Sequence, residues 1–279
     1  MKKLFFAIVL CVLMYSCSSV PITGRSQLSL VSNQEVLSLS LQQYNEYMSS
    51  APLSKDKANT AMVANVGKNI AAAVTAYYEA NGMSSALSEF SWEFSLIADK
   101  QVNAFCMPGG KIVVYEGILP YTQDETGLAV VVGHEVAHAI AKHANERLSQ
   151  QVAADYAGAA VGSVLSKSSS ALQTIGSTVF GLGAQFGVML PYSRKQEYEA
   201  DRIGLILMAM AGYNPSKAVP FWERMSEKGS TIPEFMSTHP SDANRISELK
   251  KNQSEAMKYY SGAKGSSTPN PKTSNQWKF

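Results

Sequence analysis

The stretch Gly133-His134-Glu135-Val136-Ala137-His138 decides how the rest of this chain is interpreted. It follows an apolar run from Leu128 to Val132, so the sequence predicts that it lies on a buried α-helix. Helical residues four positions apart share a face, and the imidazoles of His134 and His138 can therefore reach one zinc ion. Glu135 lies next to the first histidine, where its carboxylate can take a proton from a zinc-bound water. The plainer alternative is a pair of core histidines with a surface glutamate.

A zinc site of this kind needs a third protein ligand. His143 lies nine residues after His134, and a continuous helix would turn it by about 180° to the opposite face, so we interpret it as structural. Glu197 and Asp201 are four residues apart on a second predicted helix; Glu197 is the predicted ligand, and Asp201 is predicted to orient His134. Glu199 would point about 200° away from Glu197, toward solvent. The alternative for Glu197 is a surface charge paired with a lysine or arginine.

The N-terminus indicates the compartment. Met1-Lys2-Lys3 is basic and residues 4–14 form an unbroken apolar run, which is typical of a signal peptide. Ser16 directly before Cys17 resembles a bacterial lipobox, a signal in which the cysteine becomes the new N-terminus and carries lipid. A plain secretory signal that is cleaved nearby is the alternative. With Cys17 acylated, Cys106 has no intramolecular partner, which excludes a disulfide framework.

The domain boundaries follow from composition. We expect a signal peptide over 1–16, a lipidated N-terminus and tether over 17–30, one domain with both metal-binding patterns over 31–250, and a polar, disordered tail over 251–279. The net charge of +2 excludes a strong electrostatic argument for nucleic acid, and a hydrophobic content of 46% excludes a wholly disordered chain. Residues 168–193 carry no charge, so a transmembrane helix is one interpretation; their polar residues and glycines favour a packed or mobile amphipathic segment.

Local patterns predict mainly helices and a few strands. The predicted helices begin at the capping box of Ser32 and Glu35, span 57–80, run from the capping box of Thr122 and Glu125 to about Gln150, span 194–211, and begin again near Ser216. The predicted strands are Trp92 to Leu96 and a pair within Val102 to Tyr115, with a turn at Pro108-Gly109-Gly110. The pattern indicates an α-rich chain with a small sheet.

The two metal-binding patterns together resemble the M48 metallopeptidases, the gluzincin group in which H-E-x-x-H is followed by E-x-x-A-D, and in particular the bacterial lipoprotein branch. Further similar segments are Pro21-Ile22-Thr23-Gly24-Arg25, Asn103-Ala104-Phe105 with Pro108-Gly109-Gly110, Arg194, Gly204, and His239-Pro240 with Arg245-Ile246. The resemblance covers roughly Pro21 to Lys250. It implies an α+β, predominantly α-helical, zincin-like fold with a small β-sheet beside the active-site helix, and one zinc ion per subunit.

The resemblance also implies roles that spacing alone leaves open. Asn103, Ala104 and Phe105 would form an edge strand to which an extended substrate adds by backbone hydrogen bonds, although an ordinary sheet edge is the alternative. His239 would stabilise the oxyanion or cap the metal in a resting state, with a surface histidine as the alternative. Arg245 would pair with a carboxylate near the site, with a contact to the oxyanion as the alternative.

Together these features predict a zinc-dependent endopeptidase that hydrolyses unfolded or misfolded cell-envelope proteins. The expected location is the bacterial envelope, with a lipid anchor at Cys17; no acidic residue directly follows it, which favours the outer membrane facing the periplasm. A latent protease that acts mainly as an anchored chaperone or assembly factor is the alternative. Peptide deformylase also uses H-E-x-x-H, but the surroundings of Cys106 do not match its cysteine ligand motif.

Overall fold

The computed structural model describes residues 17–159, 193–227, 234–239 and 244–261. The α-helices in these ranges are α1 (Asn33–Met48), α2 (Lys57–Ala80), α3 (Leu119–Thr122), α4 (Glu125–Ile140), α5 (His143–Ala159), α6 (Arg194–Met210), α7 (Ala218–Glu227), α8 (Glu234–Thr238) and α9 (Arg245–Ala256). The strands are β1 (Cys17–Ser19), β2 (Ser26–Leu28), β3 (Glu93–Ile97), β4 (Ala104–Met107) and β5 (Lys111–Tyr115). Short 3-10 turns cover Ser84–Glu89, Glu116–Ile118, Pro215–Lys217 and Met257–Tyr259. The predicted α+β, predominantly α-helical fold is confirmed.

The small sheet has the order β3-β5-β4, so β4 is an edge strand. Strand β5 pairs in parallel with β3 and antiparallel with β4, through the turn that contains Gly109 and Gly110. Side chains alternate between the two faces of a strand. Cys106, Ile112 and Val114 therefore enter a large core, which they share with α2, α4 and α6. Phe105 and its neighbours on the other face enter a second core with α1 and α5.

The structure confirms two of the predicted helix starts. Ser32 and Glu35 form both hydrogen bonds of the capping box at α1. Helix α2 begins after Asp56, whose side chain accepts a hydrogen bond from the backbone N–H of Asn59. The sequence signals were sufficient here because the caps are local interactions.

The single long helix predicted from Thr122 to about Gln150 is wrong. Asp124, rather than Thr122, caps the N-terminus of α4 by accepting two backbone hydrogen bonds from its first turn. Lys142 then adopts a φ of +54°, a left-handed conformation that an α-helix cannot continue through. The chain changes direction there, and α5 begins at His143.

Both ends of the predicted domain also need correction. Residues 17–28, expected to be a tether, form a β1–β2 hairpin whose Val20 is buried in the large core. At the other end, α9 continues to Ala256, and Arg202 of α6 binds Glu255 by two hydrogen bonds. Residues 251–259 therefore belong to the folded body. The predicted signal peptide, the uncharged segment over 168–193 apart from Ser193, and the tail beyond residue 261 lie outside the described residues.

Helices α4 and α6 approach so closely that their backbones touch. A Cβ atom added to Gly133 would lie 3.0 Å from the carbonyl oxygen of Gly204, and one added to Gly204 would lie 2.9 Å from the backbone nitrogen of His134. Only glycine fits at these two positions without separating the helices. This contact sets the distance between the two metal-binding patterns. Among the helices that the structure describes, none is both long enough and apolar enough to span a membrane.

Candidate metal centre

Helix α4 presents two imidazoles on one face, as the spacing predicts. His134 and His138 are both fully buried, and their Nε2 atoms lie 3.1 Å apart. Glu197 projects from α6 toward both rings: its Oε2 lies 3.4 Å from Nε2 of His134, and its Oε1 lies 3.4 Å from Nε2 of His138. These three residues therefore converge on one point.

The spacing of these donor atoms suits a tetrahedral zinc ion. Zinc bonds of about 2.0–2.1 Å at the tetrahedral angle separate neighbouring ligand atoms by roughly 3.3–3.4 Å. His239 adds a fourth donor, because its Nδ1 lies 3.2 Å from Nε2 of His134 and 3.1 Å from Oε1 of Glu197. The ligating atoms of His134, His138, Glu197 and His239 all lie within 4.8 Å of one another.

Two buried carboxylate oxygens support the presence of a cation. Within the described part of the chain, Oε2 of Glu197 and Oε1 of Glu135 accept no hydrogen bond. Arg245 and His239 lie 3.3 and 3.2 Å from these two oxygens without forming a hydrogen bond, and a metal ion or its water would satisfy both atoms. The charges agree: Glu135, Glu197 and Asp201 bring three carboxylates together, and buried Arg245 neutralises one of them. A divalent cation would neutralise the other two.

Asp201 lies behind His134, as predicted. Its Oδ1 is 2.9 Å from Nδ1 of His134, which leaves Nε2 of that ring directed at the other ligands. Arg245 donates two hydrogen bonds of 2.8 Å to the Asp201 carboxylate and stacks 3.5 Å above the ring of Trp222. The predicted pairing of Arg245 with a carboxylate is confirmed, and this arginine also lies 3.3 Å from Glu197.

The buried charges shift the acid–base properties of these groups. Burial alone would raise the pKa of Glu197, but the three neighbouring imidazoles hold it well below its usual range. Burial opposes protonation of His134 as well, yet the carboxylates of Asp201 and Glu197 raise its pKa to about 9. Burial dominates at His138 and lowers its pKa well below the usual value. The carboxylates thus favour positive charge at His134, either as a proton on the ring or as a metal ion in place of that proton.

Glu135 lies between the metal ligands and the edge strand. Its Oε2 accepts a hydrogen bond of 3.1 Å from the backbone N–H of Cys106, and its Oε1 lies 3.2 Å from Nε2 of His239. The backbone N–H of Ala104 bonds to the side-chain oxygen of Asn103. In this antiparallel pair, the carbonyl of Asn103 accepts from the N–H of Tyr115, so Ala104 and Cys106 direct their backbone groups away from β5, to the buried edge of the sheet on the side of Glu135.

Phe105 was predicted to bind substrate, but the structure directs both its backbone and its side chain away from the edge of the sheet. Alternation turns its backbone toward β5 and its side chain into the second core, where it packs against Tyr47 and Tyr115. Cys106, which sequence reasoning did not select, occupies the outward position instead. Because successive residues of an edge strand alternate between pairing inward and pointing outward, the alternation along β4 could have identified Cys106 rather than Phe105.

The structure also corrects two predictions about buried polar residues. Glu199, predicted to be solvent-facing, is buried because α6 packs on both sides. His143, predicted to lie on the far side of a continuous helix, returns to the site because the chain breaks at Lys142. Its Nδ1 lies 2.8 Å from Nδ1 of His138. His143 is not among the clustered ligand atoms, so its exclusion as a metal ligand agrees with the geometry, although for a different reason.

Comparison with known families agrees with this arrangement of a buried H-E-x-x-H helix and a glutamate from a second helix. These features define a metallopeptidase site. The chain belongs to peptidase family M48, whose family model matches residues 57–253.

The curated relatives fall into two groups. The mitochondrial metalloendopeptidase OMA1 of Schizosaccharomyces pombe is 40% identical over 177 residues, which cover 62% of this chain and 50% of that protein. The bovine metalloendopeptidase OMA1 is 30% identical over 249 residues, or 85% of this chain and 46% of the relative. The beta-barrel assembly-enhancing protease of Escherichia coli is 25% identical over 241 residues, or 84% of this chain and 47% of the relative. The chain therefore matches about half the length of these relatives.

Arg245 should be far more important for stability than a similar arginine at the surface. Replacing it by methionine (Arg245→Met) leaves the buried Asp201 carboxylate without its cation, so we expect the free energy of unfolding to fall by about 3–5 kcal/mol. Arg202→Met removes an equally bidentate pair with Glu255, but one that is partly exposed, and should cost about 1 kcal/mol or less. Urea denaturation of both variants at the same metal content measures the difference. Equal losses would contradict the assignment of Arg245 as the buried counter-ion.

Proposed function

We propose that this chain is a zinc-dependent endopeptidase that holds one Zn²⁺ per subunit through His134, His138 and Glu197. The observation that carries the proposal is the convergence of these three buried donors beside a buried Glu135. Family membership supports the same reaction class, since the matched relatives are named as a metalloendopeptidase and a protease.

The mechanism assigns a separate task to each residue. His134, His138 and Glu197 would hold the zinc ion, which would supply Lewis-acid chemistry toward a carbonyl and a water molecule. Glu135 acts as the general base at Oε1, the oxygen without a hydrogen bond, and later returns the proton to the leaving amine. The N–H of Cys106 fixes the other oxygen of Glu135, and Asp201 fixes the tautomer of His134.

We further propose that the substrate is an extended segment of an unfolded protein that adds to strand β4. The N–H of Cys106 is bound to Glu135, so the groups that would offer such a segment hydrogen bonds are the carbonyls of Ala104 and Cys106 and the N–H of Ala104. Asn103 covers one of these groups in the free protein and would have to release it. Loose sequence preference and selection for unfolded chains follow from this mode of binding.

The proposed location is the bacterial cell envelope, with a lipid anchor at Cys17 and exposure to the periplasm. The lipobox-like Ser16-Cys17 after an apolar run supports the anchor. One relative is a bacterial beta-barrel assembly-enhancing protease, which is compatible with a role in envelope protein quality control. Other relatives are named as mitochondrial proteins, so this location rests on the N-terminal sequence.

A latent protease with a chaperone-like role is the second candidate. His239 favours it, because its ring lies within reach of the same metal position and next to Glu135. A histidine in the fourth coordination position takes the place that a catalytic zinc site keeps open for water. In an active state the same ring would have to move aside and could then stabilise the oxyanion.

Glu135→Gln should remove turnover without removing zinc, since the residue is a base and not a ligand. We expect cleavage of casein, an unfolded protein, to fall by about 10²–10⁴-fold, as it does when a general base is lost. The matched control is Glu125→Gln at the start of the same helix, which should cleave normally. With a peptide bound to the Glu135→Gln protein, hydrogen exchange should slow at the amides of β4.

The outcomes separate the two candidates. Turnover that disappears in Glu135→Gln and after chelation, with zinc retained in the variant, supports the endopeptidase. A zinc-loaded wild type that binds casein but does not cleave it supports the latent form, and His239→Ala should then release activity. Failure of the wild type to bind zinc under metal-replete conditions would overturn both.

If the chain carries a lipid anchor at Cys17, its labelling with fatty acid should depend on this cysteine. In a Gram-negative host, the wild-type chain should incorporate labelled fatty acid and sediment with the membrane fraction. Cys17→Ser should abolish the label, whereas Cys106→Ser should keep it because this buried thiol lies far along the chain in the sheet. Equal labelling of the wild type and Cys17→Ser would contradict acylation at this cysteine.

A further inference from the structure

A chain of polar contacts connects the N-terminal hairpin with the metal ligand His138. Nδ1 of His138 lies 2.8 Å from Nδ1 of His143, and Nε2 of His143 lies 3.0 Å from Oε2 of Glu199. Glu199 also accepts hydrogen bonds from the hydroxyl of Thr23 and from Nε of Arg25. The mechanism proposed above gives no role to His143, Glu199, Thr23 or Arg25. Two of them, His143 and Glu199, are nevertheless buried.

The contacts allow only one arrangement of protons when Nε2 of His138 binds a metal. The proton of that ring must then be on Nδ1, which donates to Nδ1 of His143. His143 consequently carries its own proton on Nε2 and donates it to Glu199. The carboxylate can only accept, so the whole chain runs in one direction from the metal ligand to Glu199.

The surroundings favour this arrangement. His143 is fully buried, with Nδ1 facing His138 and Nε2 facing Glu199, so each ring nitrogen faces one of these two residues. Nε of Arg25 lies 2.7 Å from Oε2 of Glu199 and pairs with it as a cation, and the hydroxyl of Thr23 donates to Oε1. Glu199 is therefore an anion and a permanent acceptor.

The N-terminal turn is built to reach Glu199. Ile22 adopts a φ of +70°, a conformation that is rare for a β-branched residue, and its N–H donates to the hydroxyl of Tyr77. Backbone strain of this kind persists only where the surrounding structure holds it in place. The turn then directs Arg25 between two carboxylates: Nε binds Glu199, and the two terminal nitrogens bind Glu146 at 2.7 and 2.8 Å.

We propose that His143, Glu199 and the turn over residues 21–25 form a positioning relay that holds the ring of His138 in the orientation and tautomer required for metal binding. The relay would orient the ring of His138 through its Nδ1 atom, as Asp201 orients the ring of His134. It makes the N-terminal hairpin part of the support of the metal centre, so that the segment directly after the proposed lipid anchor contributes to zinc affinity. This inference rests on the proposed zinc site but not on its catalytic activity.

The test measures zinc affinity of the purified full-length chain by competition with a chromophoric chelator. Loss of an outer hydrogen-bond partner of a metal-ligating histidine reduces metal affinity by about 10- to 100-fold, and we expect this loss for His143→Phe, whose apolar ring cannot accept from His138. His143→Gln can accept from His138 and donate to Glu199, so it should recover most of the affinity. Arg25→Met should weaken zinc binding in the same direction but less, because Thr23 still holds Glu199.

The matched control is Asn145→Ala on the same helix as His143. Asn145 is buried and bonds to Val31 of the N-terminal segment, but it lies outside the relay. This variant should lower the melting temperature and leave zinc affinity unchanged, whereas a purely structural role of His143 would make the two variants alike. Melting temperatures measured with chelator present separate folding from metal binding.

The results also distinguish failure of the relay from failure of the zinc site. A folded His143→Phe that binds zinc as tightly as the wild type would overturn the relay and leave the zinc site intact. A His143→Gln as weak as His143→Phe would likewise overturn it. A wild type that binds no zinc would overturn the proposed function and the relay together, whereas a wild type that binds zinc without cleaving casein would leave the relay fully testable.

Discussion

The backbone contact between α4 and α6 at Gly133 and Gly204 is the constraint on which the metal centre depends. A side chain at either glycine would push the helices apart, since a Cβ there would meet backbone atoms at 2.9–3.0 Å. Zinc coordination tolerates only a few tenths of an ångström of displacement. The two glycines therefore fix the distance between the histidines of α4 and Glu197 of α6, which no local preference of either helix could set.

Burial of charge is the second organising feature. Both histidine ligands are held from behind by side chains of α6, His134 directly by Asp201 and His138 through His143 and Glu199. An arginine from outside the helix pair neutralises each of these carboxylates. Arg245, at the start of α9, pairs with Asp201, and Arg25, in the N-terminal hairpin, pairs with Glu199. Residues far apart in sequence thus contribute to the candidate metal site, which explains why the N-terminal hairpin and α9 both pack against α6.

The sequence predicted the features that depend on local spacing. The capping box at Ser32, helix α2, the strand pair and the shared helix face of His134 and His138 all follow from short-range patterns. The predictions failed where tertiary contacts determine the course of the chain. The turn of the chain at Lys142 depends on packing, and it reverses the prediction that His143 lies away from the site.

The central claim is that His134, His138 and Glu197 together bind a single zinc ion. Anomalous diffraction at the zinc edge, from crystals of the zinc-loaded protein, tests it directly. The account predicts one peak per chain, about 2.0–2.2 Å from Nε2 of both histidines and from an oxygen of Glu197. Zinc at another position, or bound without Glu197, would contradict it.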